Sequence, residues 1–308
     1  MKVTVLGITG GVGHAVAKAF LEHGVPVRAL VRSAERARAL LGSPAGLELV
    51  EGDARSADDL AVALEGATVV FHGLNLPYPA WDPGMMELTE RVLAAAVDAG
   101  ATVLFPGNVY GLGPAFDQPL GEDCAHDPVA RRKGVLRNRL EAQLAASSAQ
   151  TIVLRMGDFF GGIGESSWMF HLTQGALEGA PLSYAGDRDV LHSWTYLPDA
   201  AETFVRLAQR RHDLGGHEVF HFAGHVVDGH RWVEAARHAL GDPHRRVKSF
   251  PWFWMQLARP FVPMIRELFE MRYLWNEPVR MRQDKLEQLL GSVPHTPFEE
   301  AMAQSLAA

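Results

Sequence analysis

From residue 2 to about residue 155 the chain alternates between two hydrophobic periods. Short runs dense in β-branched residues, KVTVLG, VPVRALVR, LELVEGD and TVVFHG, are separated by GVGHAVAKAFLEHG, SAERARALLG and SADDLAVALEGA, whose apolar positions recur at helical spacing. The first kind predicts buried strands and the second amphipathic helices. Gly24, Gly42 and Gly66 stand where these helices should stop, and Ser33 and Ser56 where they should start. The pattern runs on through a helix at about 83–100, the strand ATVLFP, a helix at about 128–147 and the strand TIVLRM. Strands spaced by helices of this length require right-handed βαβ crossovers, so the expectation is an α/β fold, a Rossmann-type doubly wound parallel sheet.

Beyond residue 160 the alternation loosens at Gly161, Gly162 and Gly164. Residues 1–160 are expected to form the nucleotide-binding domain. Residues 161–308 are expected to form a smaller, mainly helical lobe that contacts substrate, with some strands returning to the first sheet. The most apolar late segment, PWFWMQLARPFVPMIRELFEMRYLW at 251–275, is interrupted by Arg259, Pro260, Pro263, Arg266 and Glu267. It predicts a core or lid helix pair and no membrane span, a peripheral membrane face being the weaker alternative.

Composition narrows the class. With 308 residues, 47% hydrophobic and 21% charged, the chain can bury a full core. A net charge of -7 argues against a dedicated nucleic-acid binder, which needs a concentrated basic surface. The single cysteine, Cys124, excludes an intrachain disulfide and fits a reducing compartment, the cytoplasm by default. MKVTVLGITGG turns to glycine after a short β-like run, so no signal peptide is expected.

The first turn, GITGGVG at 7–13, follows a strand and opens a helix. Gly7 permits the tight turn, Gly10 lets a pyrophosphate approach, and Gly13 allows close helix packing, with Thr9, Gly11 and Val12 completing the loop. After the second strand an NAD site would place an acid, but here Val31 stands in that place and Arg32 follows. A guanidinium there suits a 2′-phosphate, so the expected cofactor is NADP (NADPH). Asp53 and Ala54 follow the third strand, where carboxylate and amide could meet the adenine or simply shape a helix-capping loop.

These motifs resemble those of the short-chain dehydrogenase/reductase superfamily, in its extended and atypical branches. GITGGVG is similar to its phosphate loop, EGDARSADDL to its adenine-side motif, VVFHGLN to its strand-four motif, FPGNVYG to the turn after strand five of sugar-nucleotide epimerases, and RMGDFFG to the segment bordering the nicotinamide. The resemblance implies that Gly73, Leu74, Asn75, Pro106, Gly107, Met156, Gly157 and Phe159 line the cofactor. It departs in its chemistry. Pro106 occupies the place of the catalytic Ser or Thr, and K-G-V-L-R replaces Tyr-x-x-x-Lys, so Lys133 and Arg137 stand for that pair and Glu141 follows. The stretch is similar to the catalytic-lysine motif of the isoflavone-reductase and NmrA-like group. The helices at about 83–100 and 128–147 lie where relatives often pair, which makes a homodimer the assembly to expect.

Lys133, Arg137 and Glu141 stand four apart, so on a helix they share one face. A plain solvated charge ladder is one reading. The other is catalytic: beside Arg131, Arg132 and Arg137 the Lys133 ammonium would be disfavoured and could exchange a proton near neutrality. Arg137 would then be a fixed donor to ribose or carbonyl oxygen, Asn108 a carbonyl-polarising donor or a turn residue, and Tyr110 mainly structural.

Three functions follow: an NADPH-dependent reductase of a fairly apolar carbonyl, enone or aryl ether; a nucleotide-sugar epimerase or dehydratase; and a non-catalytic NADP(H)-binding regulator. HEVFH at 217–221 matches a zinc-protease pattern, but glycines flank it and its alternation reads as a strand, so no metal is expected. Asp158, Phe159 and Phe160 should face the nicotinamide end of the cleft. Trp168, Trp194, Tyr196 and the tryptophans of PWFWM are each expected in the core more readily than in a substrate pocket.

Overall fold

The computed structural model describes residues 1–127, 131–164 and 167–307. Residues 128–130, expected to open the second long helix, lie outside the described residues. The first half runs β1 (Val3–Leu6), α1 (Gly11–Glu22), β2 (Val27–Val31), α2 (Ala34–Leu41), β3 (Leu47–Glu51), α3 (Ala57–Leu64), β4 (Val69–His72), α4 (Gly84–Ala99), β5 (Thr102–Asn108), α5 (Arg132–Ala145) and β6 (Thr151–Met156). The second half runs β7 (Asp158–Phe160), α6 (Trp168–Thr173), β8 (Leu182–Tyr184), β9 (His192–Tyr196), α7 (Leu197–Arg210), β10 (His217–His221), β11 (His225–Val227), α8 (Gly229–Ala239), β12 (Val247–Ser249), α9 (Trp252–Ala258), α10 (Pro263–Met271), α11 (Asp284–Leu290) and α12 (Phe298–Ala307).

Seven strands form one sheet in the order β10-β6-β5-β4-β1-β2-β3, and every pairing in it is parallel. Local chemistry sets the boundaries. Ser33 Oγ accepts from Arg36 N at 3.3 Å and Ser56 Oγ from Asp59 N at 3.2 Å, capping α2 and α3. One face of the sheet packs on α1 and α7 through Phe20, Leu154, Phe204 and Phe220. The other packs on α3, α4 and α5 through Leu60, Val92, Phe105 and Leu144. Burial on both faces is why the strands read as continuous apolar runs.

The chain after residue 160 thus supplies α7 and β10 to the main sheet and its cover. Its remaining strands make a three-stranded sheet, β11-β9-β7, and a β12-β8 pair. These pack on α6, α8 and α12 around Phe160, Trp194, Trp232 and Trp275. HEVFH is strand β10, paired parallel to β6, so its histidines do not share a helix face. His217 Nδ1 meets Thr151 Oγ1 at 2.7 Å, and His221 lies against Arg155.

Pro106 sits inside β5, between two neighbours. The ladder to β4 ends at Leu104, whereas that to β6 continues to Asn108. The missing N–H therefore falls where the sheet opens, the one kind of place a central strand tolerates proline.

Trp168, Trp194, Tyr196 and Trp252 belong to the second core as expected. Trp254 does not: it is 70% exposed, as is its neighbour Phe253. No helix among the described residues is long and apolar enough to cross a membrane.

Candidate active site

Because the main sheet is parallel, the loops after β1 to β6 gather at one edge, and the expected cofactor residues lie on these loops or on the strand ends and helix starts that flank them, with Phe159 in β7. Gly7 has φ +89°, and a Cβ there would lie 2.5 Å from Gly73 O, so the chains ending β1 and β4 approach as only glycine allows. A Cβ on Gly13 would lie 2.2 Å from Gly7 O, which seats α1 directly on the turn. Gly10 N donates to Gly7 O at 3.0 Å, and no side chain caps the N-terminus of α1. Thr9 and Gly10 are exposed, while Gly11 and Val12 are half-buried. A tight glycine turn with an uncapped helix start fits a pyrophosphate.

Val31 is buried at the end of β2, and Arg32 is exposed with no hydrogen bond or ion pair to the described residues. The nearest acid in register, Glu51, is committed: its Oε1 accepts from Ala34 N at 2.7 Å at the start of α2. Asp53 forms a turn, its Oδ1 accepting from Arg55 N at 2.9 Å and its N–H donating to Asp59 Oδ2 at 2.8 Å. The cap of α3 is Ser56, so the helix-capping alternative for Asp53 is corrected to a turn role. Ala54 is buried beside it.

At the opposite end of the cleft Gly73 N donates to Leu6 O at 2.9 Å, with Leu74 half-buried and Asn75 exposed. Asn108 Oδ1 accepts from Tyr110 N at 3.1 Å, a turn contact that leaves its amide nitrogen uncommitted. Gly107 packs against Val153 and Arg155, Met156 is buried, Gly157 lies against Ser193, and Phe159 is half-buried. Phe160 belongs to the second core, 5.2 Å from the Tyr196 ring.

Helix α5 turns its charged stripe inward. Lys133 is 2% exposed, and its Nζ donates to Glu267 Oε2 at 2.5 Å and Glu270 Oε2 at 2.9 Å, both on α10, while lying 4.9 Å from the Tyr78 ring centre. Glu141, also buried, takes hydrogen bonds from Arg155, the shortest 2.6 Å. Between them the half-buried Arg137 guanidinium lies 4.6 Å over Trp81 and 5.8 Å from Phe105, and its Nε is buried without a partner among the described residues. Burial lowers the Arg137 pKa, against the nearby Tyr110, Tyr78 and Glu141, which favour its charge.

Two sequence expectations are corrected here. The stripe is not a solvated ladder. Nor do arginines surround Lys133: its charged partners are carboxylates, and Arg132 reaches the same Glu267 at 2.7 Å. Glu267 is pushed up by burial, but hydrogen bonds from Lys133 and Arg132 outweigh this and leave its pKa lowered.

Beside Tyr110 and Asp158, which the sequence pointed to, the site holds Tyr78, His72, His192, Glu267 and Glu270, whose place in it was not legible from the sequence. Tyr78 and Tyr110 bring their hydroxyls within 3.4 Å, and burial is the main cause raising both phenols. His72 is fully buried, its Nε2 3.0 Å from Thr89 Oγ1; burial, then Arg137, pull its pKa down to about 3. Asp158 pairs with His192 at 2.8 Å, and the imidazole stacks on Trp275 at 4.2 Å and meets Leu274 O at 3.0 Å. This pair lines a small cavity with Val109, Ser193 and Val279. The acids Glu267 and Glu270 lie over 130 residues from Lys133, beyond any local motif.

The family profile described as NAD(P)H-binding matches residues 7–160, half of the chain. An NmrA-like family domain-containing oxidoreductase, notA, of Aspergillus sp. (strain MF297-2) is 32% identical over 103 residues, 32% of this chain and 30% of its own length. The chain therefore spans less than a third of that relative. Among solved structures, MoeE5 in complex with UDP-glucose and NAD superposes with a TM-score of 0.75 at 22% identity, covering 100% of this chain and 98% of the other. UDP-glucose 4-epimerase from Bifidobacterium longum in complex with NAD+ and UDP gives a TM-score of 0.76 at 16% identity, covering 99% and 97%. Likenesses at these identities establish the fold.

Proposed function

Because the chain belongs to the NAD(P)H-binding family, within the extended and atypical short-chain dehydrogenase/reductases, we propose that it is an NADPH-dependent oxidoreductase that reduces a fairly apolar carbonyl, enone or aryl ether. The observation that carries this reading is the inward face of α5, where a buried lysine and a half-buried arginine, its Nε buried without an acceptor among the described residues, meet the open edge of the sheet. A buried donor left unpaired costs stability, so its persistence points to a ligand that completes it.

When bound, the dinucleotide supplies the hydride. The Gly7 to Gly13 turn would hold its pyrophosphate, and Arg32, without an ion pair among the described residues, its 2′-phosphate. Arg137 would hold ribose or substrate oxygen. Lys133 would deliver a proton to the developing alkoxide, and Glu267 and Glu270, with side chains 13% and 19% exposed, stand between it and solvent to return one. Tyr78, Trp81 and Tyr110 make an aromatic wall suited to an apolar substrate.

The test is NADPH oxidation with an aryl ketone, a cyclic enone and an aryl ether. Lys133→Met is expected to lower kcat by about 10²–10⁴-fold with NADPH affinity retained; full turnover by this variant would remove Lys133 from the chemistry. A clear preference for NADH in binding titrations would sink the Arg32 argument. Interconversion of a nucleotide sugar without net NADPH consumption would favour an epimerase. Tight NADPH binding with no turnover of any substrate would favour a regulator.

A further inference from the structure

Among the described residues, the hairpin formed by α9 and α10 gathers six of the exposed large apolar side chains. Phe253 and Trp254 are each 70% exposed, Leu257 57% and Phe261 84%, with Val262 and Met264 at 40%. Trp252 anchors α9, buried among Trp168, Phe250 and Phe269, with Met255 half-buried against the same core. Phe253, Trp254 and Leu257 share one face of α9. Phe261, Val262 and Met264 follow at the turn into α10, so the side chains crown a tip. Scattered exposed apolar residues need no explanation, but a contiguous aromatic cluster marks a contact surface.

Charge decides what covers it. The chain carries a net charge of -7, yet residues 244–266 hold five basic residues and no acidic one. Arg245 is paired with Asp242, whereas Arg246, Lys248, Arg259 and Arg266 are exposed and form no ion pair among the described residues. A second copy docking symmetrically on this tip would bring like charges together. An anionic bilayer satisfies both features: aromatic side chains enter the boundary between headgroups and acyl chains, and the flanking basic residues meet lipid phosphates. Helices of seven and nine residues cannot span and would lie in the interface plane.

We infer that the α9–α10 hairpin is a membrane-docking element that seats this protein on an anionic lipid surface. The inference is independent of the reaction proposed above, and its test reads no catalysis. The whole chain is sedimented with vesicles of phosphatidylcholine alone and of equal parts phosphatidylcholine and phosphatidylglycerol. Partition onto the anionic vesicles is expected to be about tenfold the greater. The double variant Trp254→Ser, Phe261→Ser should lose it while keeping its unfolding midpoint and NADPH affinity, because both side chains are already exposed. Arg259→Gln with Arg266→Gln should reduce the preference for anionic lipid. Absence of binding to either vesicle, or equal binding to both, overturns the inference. So does a dimer in sedimentation velocity that Phe261→Ser dissolves without any vesicle binding, which would assign the tip to a second copy.

Discussion

Two buried ion pairs lie two turns apart on one face of α5, and they differ in what they tie together. At one end Glu141 meets Arg155, which is 4% exposed on β6 and also contacts His221 on β10 and His126. Every strand involved belongs to the main sheet, so this end joins helix to core. At the other end Lys133 meets Glu267 and Glu270 on α10, the root of the exposed hairpin. That end joins the helix to an outlying element through partly exposed carboxylates. Identical chemistry and spacing therefore serve a structural role at Glu141 and, in the reading proposed here, a proton-handling role at Lys133.

Mutation should separate the two ends most sharply. Glu141→Ala leaves the Arg155 guanidinium buried without its carboxylate and is expected to cost about 3–5 kcal/mol in urea unfolding. Lys133→Met leaves Glu267 with Arg132 at 2.7 Å and near solvent, so about 1–2 kcal/mol is expected. Equal losses at the two positions would dissolve the distinction.

Acid should separate them next. Burial, then Arg155, holds the His221 pKa down to about 4, from an ordinary value of 6.5. As pH falls from 6.5 to 4 the unfolded chain takes up a proton that the fold refuses, so stability drops across that window and is unaffected above it; His221 accounts for up to about 3 kcal/mol. Among the described residues no histidine bonds to the Lys133 cluster. Its titrating member, Glu267, has a lowered pKa, so its contribution is complete above 4.5 and is lost only as pH falls further, through its folded value. His221→Gln should flatten unfolding free energy against pH between 6.5 and 4 relative to the parent. An unchanged slope would show that the imidazole is not held neutral by the Arg155 network.

The sequence made the first half of the fold readable because periodicity, caps and glycines all agreed there. Ser33 and Ser56 cap their helices, and Gly7 and Gly13 give the tight turn and close helix packing that their positions implied. The later strands β7, β8, β11 and β12 have three residues each, too few for an alternation to register. The spacing of Lys133, Arg137 and Glu141 was legible, but not whether they face in or out. Period alone fits both, and the partners that settle it come from β6 and α10. The segment 251–275, read as a core or lid helix pair, shows the same gap: Trp252 is core as expected and Met271, Leu274 and Trp275 are buried too, while Phe253, Trp254 and Phe261 face outward.

Arg137, between the two pairs, is where the comparison can be sharpened with the smallest effect. Its Nε has no partner among the described residues and its neighbours are the Trp81 and Phe105 rings, so replacing it by methionine removes a half-buried charge without orphaning a carboxylate. Such a replacement is expected to leave stability unchanged or raise it by about 1 kcal/mol. If the guanidinium waits for a ligand oxygen, the same variant should weaken NADPH or substrate binding by about tenfold, within the range of one hydrogen bond to a charged group. Calorimetric unfolding and NADPH titration on one sample read both quantities. A large loss of stability with binding intact would make Arg137 a structural residue like Glu141 and leave Lys133 as the only member of the stripe with a chemical task.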